Sequence, residues 1–258
     1  MDCNNDINHK LIKMQKFKFI FKLLVVSSIL FSEKSKRSIE NFETNVMVKV
    51  ELDYLLYLPK DYKDSNKRYP LVLFLHGAGE RGENIDLVEI HGIPKLIKKG
   101  REFPFITIAP QCPSDQWWSD SAIVKSLISL IEKFRSEYNI DQHSIYATGL
   151  SMGGFGTIAI AIERPDLFAG IIPICGGGDL KMIDRLIDMP IWLFHGDADT
   201  VIPVDNSTKI FDILKPTNSK AKLTIYNGVG HDSWTQTYKN DNIYEWLLKQ
   251  KKRKLFDR

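Results

Sequence analysis

The sequence predicts an α/β fold, with a mostly parallel central sheet covered by helices on both faces. Three observations carry that reading. From residue 46 onward, short strand-like runs alternate with helix-like segments, the pattern of repeated β–α units. Several runs are continuously apolar rather than alternating, as expected for strands buried on both faces. No internal repeat, low-complexity linker or composition break interrupts residues 46–250, so the segments belong to one domain.

Taken in order, strand candidates lie at 46–58, 71–75 (LVLFL), 105–109 (FITIA), 144–148 (SIYAT), 171–175 (IIPIC), 191–194 (IWLF) and 223–226 (LTIY). The helix at 121–138 has the clearest signature, with Ile123, Leu127, Leu130, Ile131 and Phe134 at helical spacing. Further helices are expected at 85–99, 152–163, 180–187, 207–214 and 242–249. In a parallel sheet, ligands bind where the loops cluster, at the carboxyl ends of the strands. The loops after Leu75, Ala109, Thr148, Cys175, Phe194 and Tyr226 are therefore the ones to inspect.

Composition narrows the function classes. The 258 residues are 43% hydrophobic, enough for a substantial core, and hold three Cys, too few for a disulfide scaffold. Disorder and collagen-like repeats are excluded on the same grounds. The net charge of +3 is unevenly placed: residues 1–32 carry +3, residues 249–258 carry +5, and residues 33–248 carry −5. A phosphate-binding face needs concentrated basic charge, which the body does not offer, so nucleic acid is a poor partner.

The N-terminal segment has the layout of a secretory signal. Five lysines precede an apolar stretch ending Leu23-Leu-Val-Val-Ser-Ser-Ile-Leu-Phe31, followed by the polar run from Ser32. Its charge-free part is too short for a membrane span. Residues 1–32 are accordingly expected to be a signal peptide, 33–45 a linker and 251–258 a basic tail, with the protein secreted or periplasmic. A cytoplasmic or N-terminally anchored protein is the alternative.

The chemistry sits in three loops. After 144–148 comes Gly149-Leu-Ser151-Met-Gly153, opening an apolar helix. This is the G-x-S-x-G nucleophile elbow in the strand–turn–helix setting that it requires. It exposes Ser151 Oγ and aims the Met152 N–H into the site at a helix N-terminus. A serine hydroxyl needs a base, and the base needs an orienting carboxylate. The strand at 191–194 ends in His195-Gly-Asp197-Ala-Asp199, and the strand at 223–226 leads to Gly230-His231-Asp232. His231 is the best base, after a Gly-flanked turn; Asp199 and Asp197 compete for the acid. His76, His91 and His195 read as hydrogen-bonded loop histidines. The run His76-Gly77-Ala78-Gly79-Glu80-Arg81-Gly82 after the strand at 71–75 offers an oxyanion hole, the Ala78 N–H joining that of Met152. It lacks the G-K-[ST] ending of a P-loop.

These motifs together resemble compact α/β-hydrolase-fold serine esterases, near the phospholipase/carboxylesterase and dienelactone-hydrolase-like groups. The resemblance is strongest to a bacterial branch described as predicted peptidases or polyhydroxybutyrate-depolymerase-like esterases. The matching pieces are LHGAGERG (75–82), APQCP with QWW (109–118), GLSMGGFGT (149–157), PICGGG (173–178), FHGDADTVIPV (194–204) and GHDSW (230–234). The resemblance implies Ser151 as nucleophile, His231 as base and Asp199, by its H-G-x-x-D spacing, as acid. It implies oxyanion donors at Ala78 and Met152 and no metal or cofactor; the sequence departs from some relatives in having no long insertion between 46 and 250 that could form a lid. It also implies a strand order that sets Cys112 and Cys175 about 14 Å apart, too far for a disulfide.

Trp117, Trp118 and Trp234, with Gln111, Glu80 and Arg81, are the candidate substrate-binding residues. Aromatic and polar groups at a cleft rim suit a sugar ring or phenolic ester. The expected function is thus serine carboxylic-ester hydrolysis through an acyl-enzyme, on small-molecule or oligosaccharide esters such as acetylated or feruloylated carbohydrate. A serine peptidase or aminoacyl hydrolase of the same fold is the first rival, and a non-catalytic binding protein the second. Oligomeric state is not legible.

Overall fold

The structure, a computed structural model, describes residues 49–62 and 67–252. The expected leader, the linker, the first residues of the 46–58 strand and most of the basic tail lie outside the described residues. Among the described residues, no helix is long and apolar enough to cross a membrane.

Seven strands form one sheet: β1 (Tyr54–Tyr57), β2 (Tyr69–Leu75), β3 (Ile106–Pro110), β4 (Ile140–Leu150), β5 (Gly170–Ile174), β6 (Ile191–Gly196) and β7 (Ala221–Tyr226). Their order is β1-β3-β2-β4-β5-β6-β7. Only β1 runs antiparallel, against β3; every other pairing is parallel. The α/β class with a mostly parallel sheet is therefore as the sequence predicts.

The continuous apolar runs serve two cores at once. Leu71, Leu73 and Leu75 of β2 join one cluster, while Val72 and Phe74 join the other. Successive side chains in a strand point to opposite faces, so a strand covered on both sides has no place for a polar alternate. The first face is covered by α2 (Ser121–Glu137), α3 (Met152–Glu163) and α4 (Asp205–Leu214). The second is covered by α1 (Gly92–Lys98), α5 (Trp234–Lys239) and α6 (Asp241–Lys249). In α2, Ile123, Val124, Leu127, Ile131 and Phe134 face inward and are buried.

Two expected helices differ in form. The 85–99 segment divides into a 3₁₀ stretch, Ile85–Ile90, and α1. His91 is extended between them, and Gly92 has φ +64°. A Cβ at Gly92 would stand 2.1 Å from the Phe74 ring, so only glycine allows the chain to turn there. Leu180–Leu186 is likewise 3₁₀ rather than α-helical. Helix α5, which the apolar pattern does not announce, follows directly on His231.

Candidate active site

The site is assembled at the carboxyl ends of β2, β4, β6 and β7. Ser151 lies between β4 and α3 with φ 52° and ψ −116°, a region L-residues enter only under constraint. Its N–H donates to Ile174 O at 2.9 Å, tying the turn to β5. The flanking glycines are required by contact: a Cβ at Gly153 would lie 2.0 Å from Leu75 O, and one at Gly149 2.4 Å from Gly153 O. A larger residue at either position would push the elbow off the sheet.

Ser151, His231 and Asp199 stand in one hydrogen-bonded line. Ser151 Oγ is 2.9 Å from His231 Nε2, and His231 Nδ1 is 2.7 Å from Asp199 Oδ2. With the proton on Nδ1, the ring donates to Asp199 and leaves Nε2 free to accept the serine proton. Asp199 Oδ1 accepts the N–H groups of Val201 and Ile202, both at 2.9 Å. Burial of this carboxyl raises its pKa, but the His231 hydrogen bond and the two backbone N–H bonds outweigh it and hold the group below its usual range. Asp197, the competing acid, is exposed and accepts instead from the Gly228 N–H. The hydrogen bond to His231 thus falls to Asp199 and not to Asp197.

The loop from His76 to Arg81 packs against this elbow. Paired β2 and β4 place Leu75 opposite Gly149, and a Cβ at Gly77 would meet Leu150 Cδ1 at 2.9 Å. Ala78 begins a 3₁₀ turn, and Met152 begins α3. The first N–H groups of a helical turn have no partner within it, so both segments can present donors.

The six expected substrate-binding residues divide in two. Trp117 is 48% exposed, with the Arg81 guanidinium stacked 4.7 Å from its ring. Trp234 stands edge-on to His231, with ring centroids 5.2 Å apart. Trp118, Gln111 and Glu80, by contrast, are buried and correct the expectation of a rim position. Trp118 Nε1 donates to His76 O, and a Cβ at Gly156 of α3 would stand 2.3 Å from the Trp118 Cβ. Gln111 Nε2 donates to Glu80 O and Asn84 O, pinning the loop from behind. The Gln111 amide N–H groups and the Trp118 indole N–H are thus spent on the backbone of the loop, where leaving a buried donor unpaired would be costly.

The histidines expected to be ordinary loop groups are accounted for in part. His76 Nδ1 donates to Gly77 O and its Nε2 accepts from the Cys112 N–H, and burial pushes the ring down to about 4. His195 bonds Ser207 Oγ and Ile202 O. His91 differs: it faces Glu80 at 3.7 Å and packs against Trp234.

Cys175 is the neighbour that the sequence does not single out. It has φ 39°, is buried, and its thiol lies within 4.8 Å of ligand atoms of Asp199 and His231. Nothing in its local pattern signals this, since the contact arises from sheet order. These three are the one group among the described residues with metal-ligand proximity. Two of them already hydrogen-bond each other, and burial pushes the thiol up to about 12, so it is protonated at neutral pH. The donor set suits an oriented base better than a metal cage.

A sequence profile described as phospholipase/carboxylesterase matches residues 94–247. Among curated relatives, a protein of Aspergillus terreus named Probable feruloyl esterase C is 30% identical over 165 residues, 61% of this chain and 58% of that protein. The poly(3-hydroxyalkanoate) depolymerase C of Paucimonas lemoignei is 31% identical over 121 residues, covering 42% of this chain and 28% of that protein. Among solved structures, a thermostable esterase matches with 39% identity and a TM-score of 0.69, over 78% of this chain and 60% of that one. The chain thus spans little more than half the length of the first of these relatives.

Proposed function

The chain belongs to the phospholipase/carboxylesterase family of α/β-hydrolases, and on that premise we propose that it is a carboxylic-ester hydrolase with Ser151 as nucleophile, His231 as general base and Asp199 as its orienting acid. The observation that carries the proposal is the unbroken hydrogen-bonded line from Asp199 through His231 to Ser151, at 2.7 and 2.9 Å.

In this reading Ser151 Oγ attacks the ester carbonyl while its proton passes to His231 Nε2. The carbonyl oxygen becomes an oxyanion held by the N–H groups of Ala78 and Met152, each donor contributing about 3 kcal/mol to the transition state. Collapse of the tetrahedral intermediate breaks the acyl–oxygen bond, and His231 returns the proton to the leaving alcohol. Water then gives its proton to His231, attacks the acyl-enzyme and releases the acid, regenerating Ser151.

The substrate class we propose is a phenolic-acid or acetyl ester of carbohydrate. It rests on the exposed Trp117–Arg81 stack and on Trp234 beside His231, surfaces suited to flat rings, and on similarity to a protein named a feruloyl esterase. The N-terminal leader pattern supports export, where such esters occur. The test is hydrolysis of aryl acetates and feruloyl esters beside aminoacyl anilides, with Ser151→Ala as control. Ester turnover that exceeds anilide turnover and vanishes in the variant supports the proposal. Faster anilide turnover favours a peptidase, and equal activity in the variant overturns the mechanism.

A further inference from the structure

Helix α3 carries Ser151 at its N-cap, and one of its faces is left incompletely covered. Phe155, Ala159 and Ile162, at i, i+4 and i+7, form an apolar stripe that is only partly buried. The stripe floors a cavity of about 480 Å³ between the start of α2 and the 3₁₀ stretch Leu180–Leu186. At a rise of about 1.5 Å per residue, Phe155 lies about 6 Å beyond Ser151 along the helix axis and Ile162 about 16 Å. The groove therefore leads away from the nucleophile.

Both walls also begin at the site. On one side the chain passes from Trp117, whose ring faces the Arg81 guanidinium, through buried Trp118 to Ser119 and Ser121 at the groove. On the other it leaves Cys175, beside Asp199 and His231, and reaches Gly178 and Asp179. Glycines let this second wall lie close on α3. A Cβ at Gly177 would stand 2.7 Å from Phe155 Cε1, and one at Gly178 2.5 Å from Ile158 Cγ2. Floor and walls are thus continuous with the elements that hold Ser151, His231 and Asp199.

The lining has two chemistries. The stripe and the exposed Met182 are apolar, whereas the rim holds the Ser119 and Ser121 hydroxyls and the charged groups of Glu163, Asp179 and Arg185. Among the described residues neither hydroxyl makes a hydrogen bond, and none of the three charged groups forms an ion pair. Asp179 accepts only the Lys181 N–H, and Arg185 donates only to Glu163 O, at 3.5 Å. An aliphatic chain in the groove would strip water from these groups and return no partner. Sugar rings match both chemistries, their faces meeting the stripe and their hydroxyls meeting the rim. We propose that the groove along α3 is a distal subsite that holds the carbohydrate chain of the ester, outward from the bond that Ser151 attacks. The inference rests on the ester-hydrolase reading and extends its substrate from a single ring to a segment of a linear oligosaccharide.

The experiment compares kcat/KM for methyl ferulate and for a feruloylated xylo-oligosaccharide in the wild type, Ala159→Trp and Arg185→Ala, with thermal melts to verify folding. Binding of unesterified xylohexaose to Ser151→Ala, with and without Ala159→Trp, gives a readout independent of turnover. The expected wild-type preference for the longer ester is about ten-fold, and Ala159→Trp, which fills the floor, brings it to within about two-fold of unity. The same substitution weakens xylohexaose binding at least about ten-fold. Arg185→Ala lowers the preference about three-fold. Equal kcat/KM for the two esters in the wild type, a preference unchanged in Ala159→Trp, or no xylohexaose binding overturns the inference. So does a preference for p-nitrophenyl esters of long fatty acids that Ala159→Trp removes, which assigns the groove to an acyl chain. Ser151-dependent turnover of methyl ferulate or an aryl acetate keeps the hydrolase reading intact in each of these cases. Its absence overturns that reading, and the xylohexaose measurement still decides the groove. If Ala159→Trp does not fold, Arg185→Ala decides, and an unchanged preference there overturns the inference.

Discussion

Ser151 holds a backbone conformation that its neighbours impose, and the energy of that constraint is offset by the β4–α3 packing around it. Its hydroxyl is therefore replaceable without cost to the fold. Ser151→Ala is expected to lower kcat by at least about 10³-fold while leaving the melting temperature unchanged. Asp199→Asn is expected to cost about 10²–10⁴-fold in kcat, because the amide can no longer fix the His231 proton on Nδ1. A third prediction concerns His76, whose ring is held neutral by burial with its pKa pushed down to about 4. A base lowered on folding binds protons more weakly in the folded state. The stability it permits is complete above the unfolded value and declines as pH falls from about 6.5 to about 4, by roughly 3 kcal/mol. Thermal melts between pH 7 and pH 4 should show the wild type losing more stability than His76→Gln; parallel curves would contradict this. At this scale the three members of the hydrogen-bonded line were legible because each closes a strand with a Gly-flanked turn. The burial of Glu80, Gln111 and Trp118 was not, because it depends on how one loop folds back over another. The same holds for Cys175, brought to the site by sheet order alone.

At the scale of elements, the glycines of the two loops have different standing. Gly153 cannot accept a Cβ, which would lie 2.0 Å from Leu75 O, whereas nothing lies within 4 Å of one at Gly79. Gly153→Ala should destabilise the fold by at least about 3 kcal/mol and abolish activity. Gly79→Ala should change stability by no more than about 0.5 kcal/mol. Melting curves of both variants separate a glycine required by contact from one that merely occupies a loop. The sheet was readable from continuous apolar runs, since a strand buried on both faces has no polar alternate to confuse it. Helix α2 was readable from its period. The 85–99 segment was harder, because its apolar residues suit a helix while Gly92 breaks it by conformation and by contact with Phe74. Helix α5 was missed because its sequence, WTQTYK, has a short and mixed pattern, and its formation is directed by packing against the second core.

For the molecule as a whole, the uneven charge and the distribution of cysteines bear on its behaviour outside the site. Cys112 follows β3 and Cys175 follows β5; both thiols are free and buried, with β2 and β4 between their strands. Reducing agent should accordingly leave the melting temperature unchanged, and a downward shift on reduction would contradict that separation. The net charge of +3 belongs to the two ends, and the body that carries the site is negative, so binding should not depend on salt in the way that a phosphate-reading protein's does. The central claim is that Ser151 is the nucleophile of an ester hydrolase. It is tested most directly by quenching the reaction with an activated aryl ester and mapping the acylated peptide by mass spectrometry. The account predicts one acyl group per chain, on Ser151, appearing in a burst with the released phenol and absent from Ser151→Ala; acylation of another residue, or turnover persisting in that variant, would contradict it.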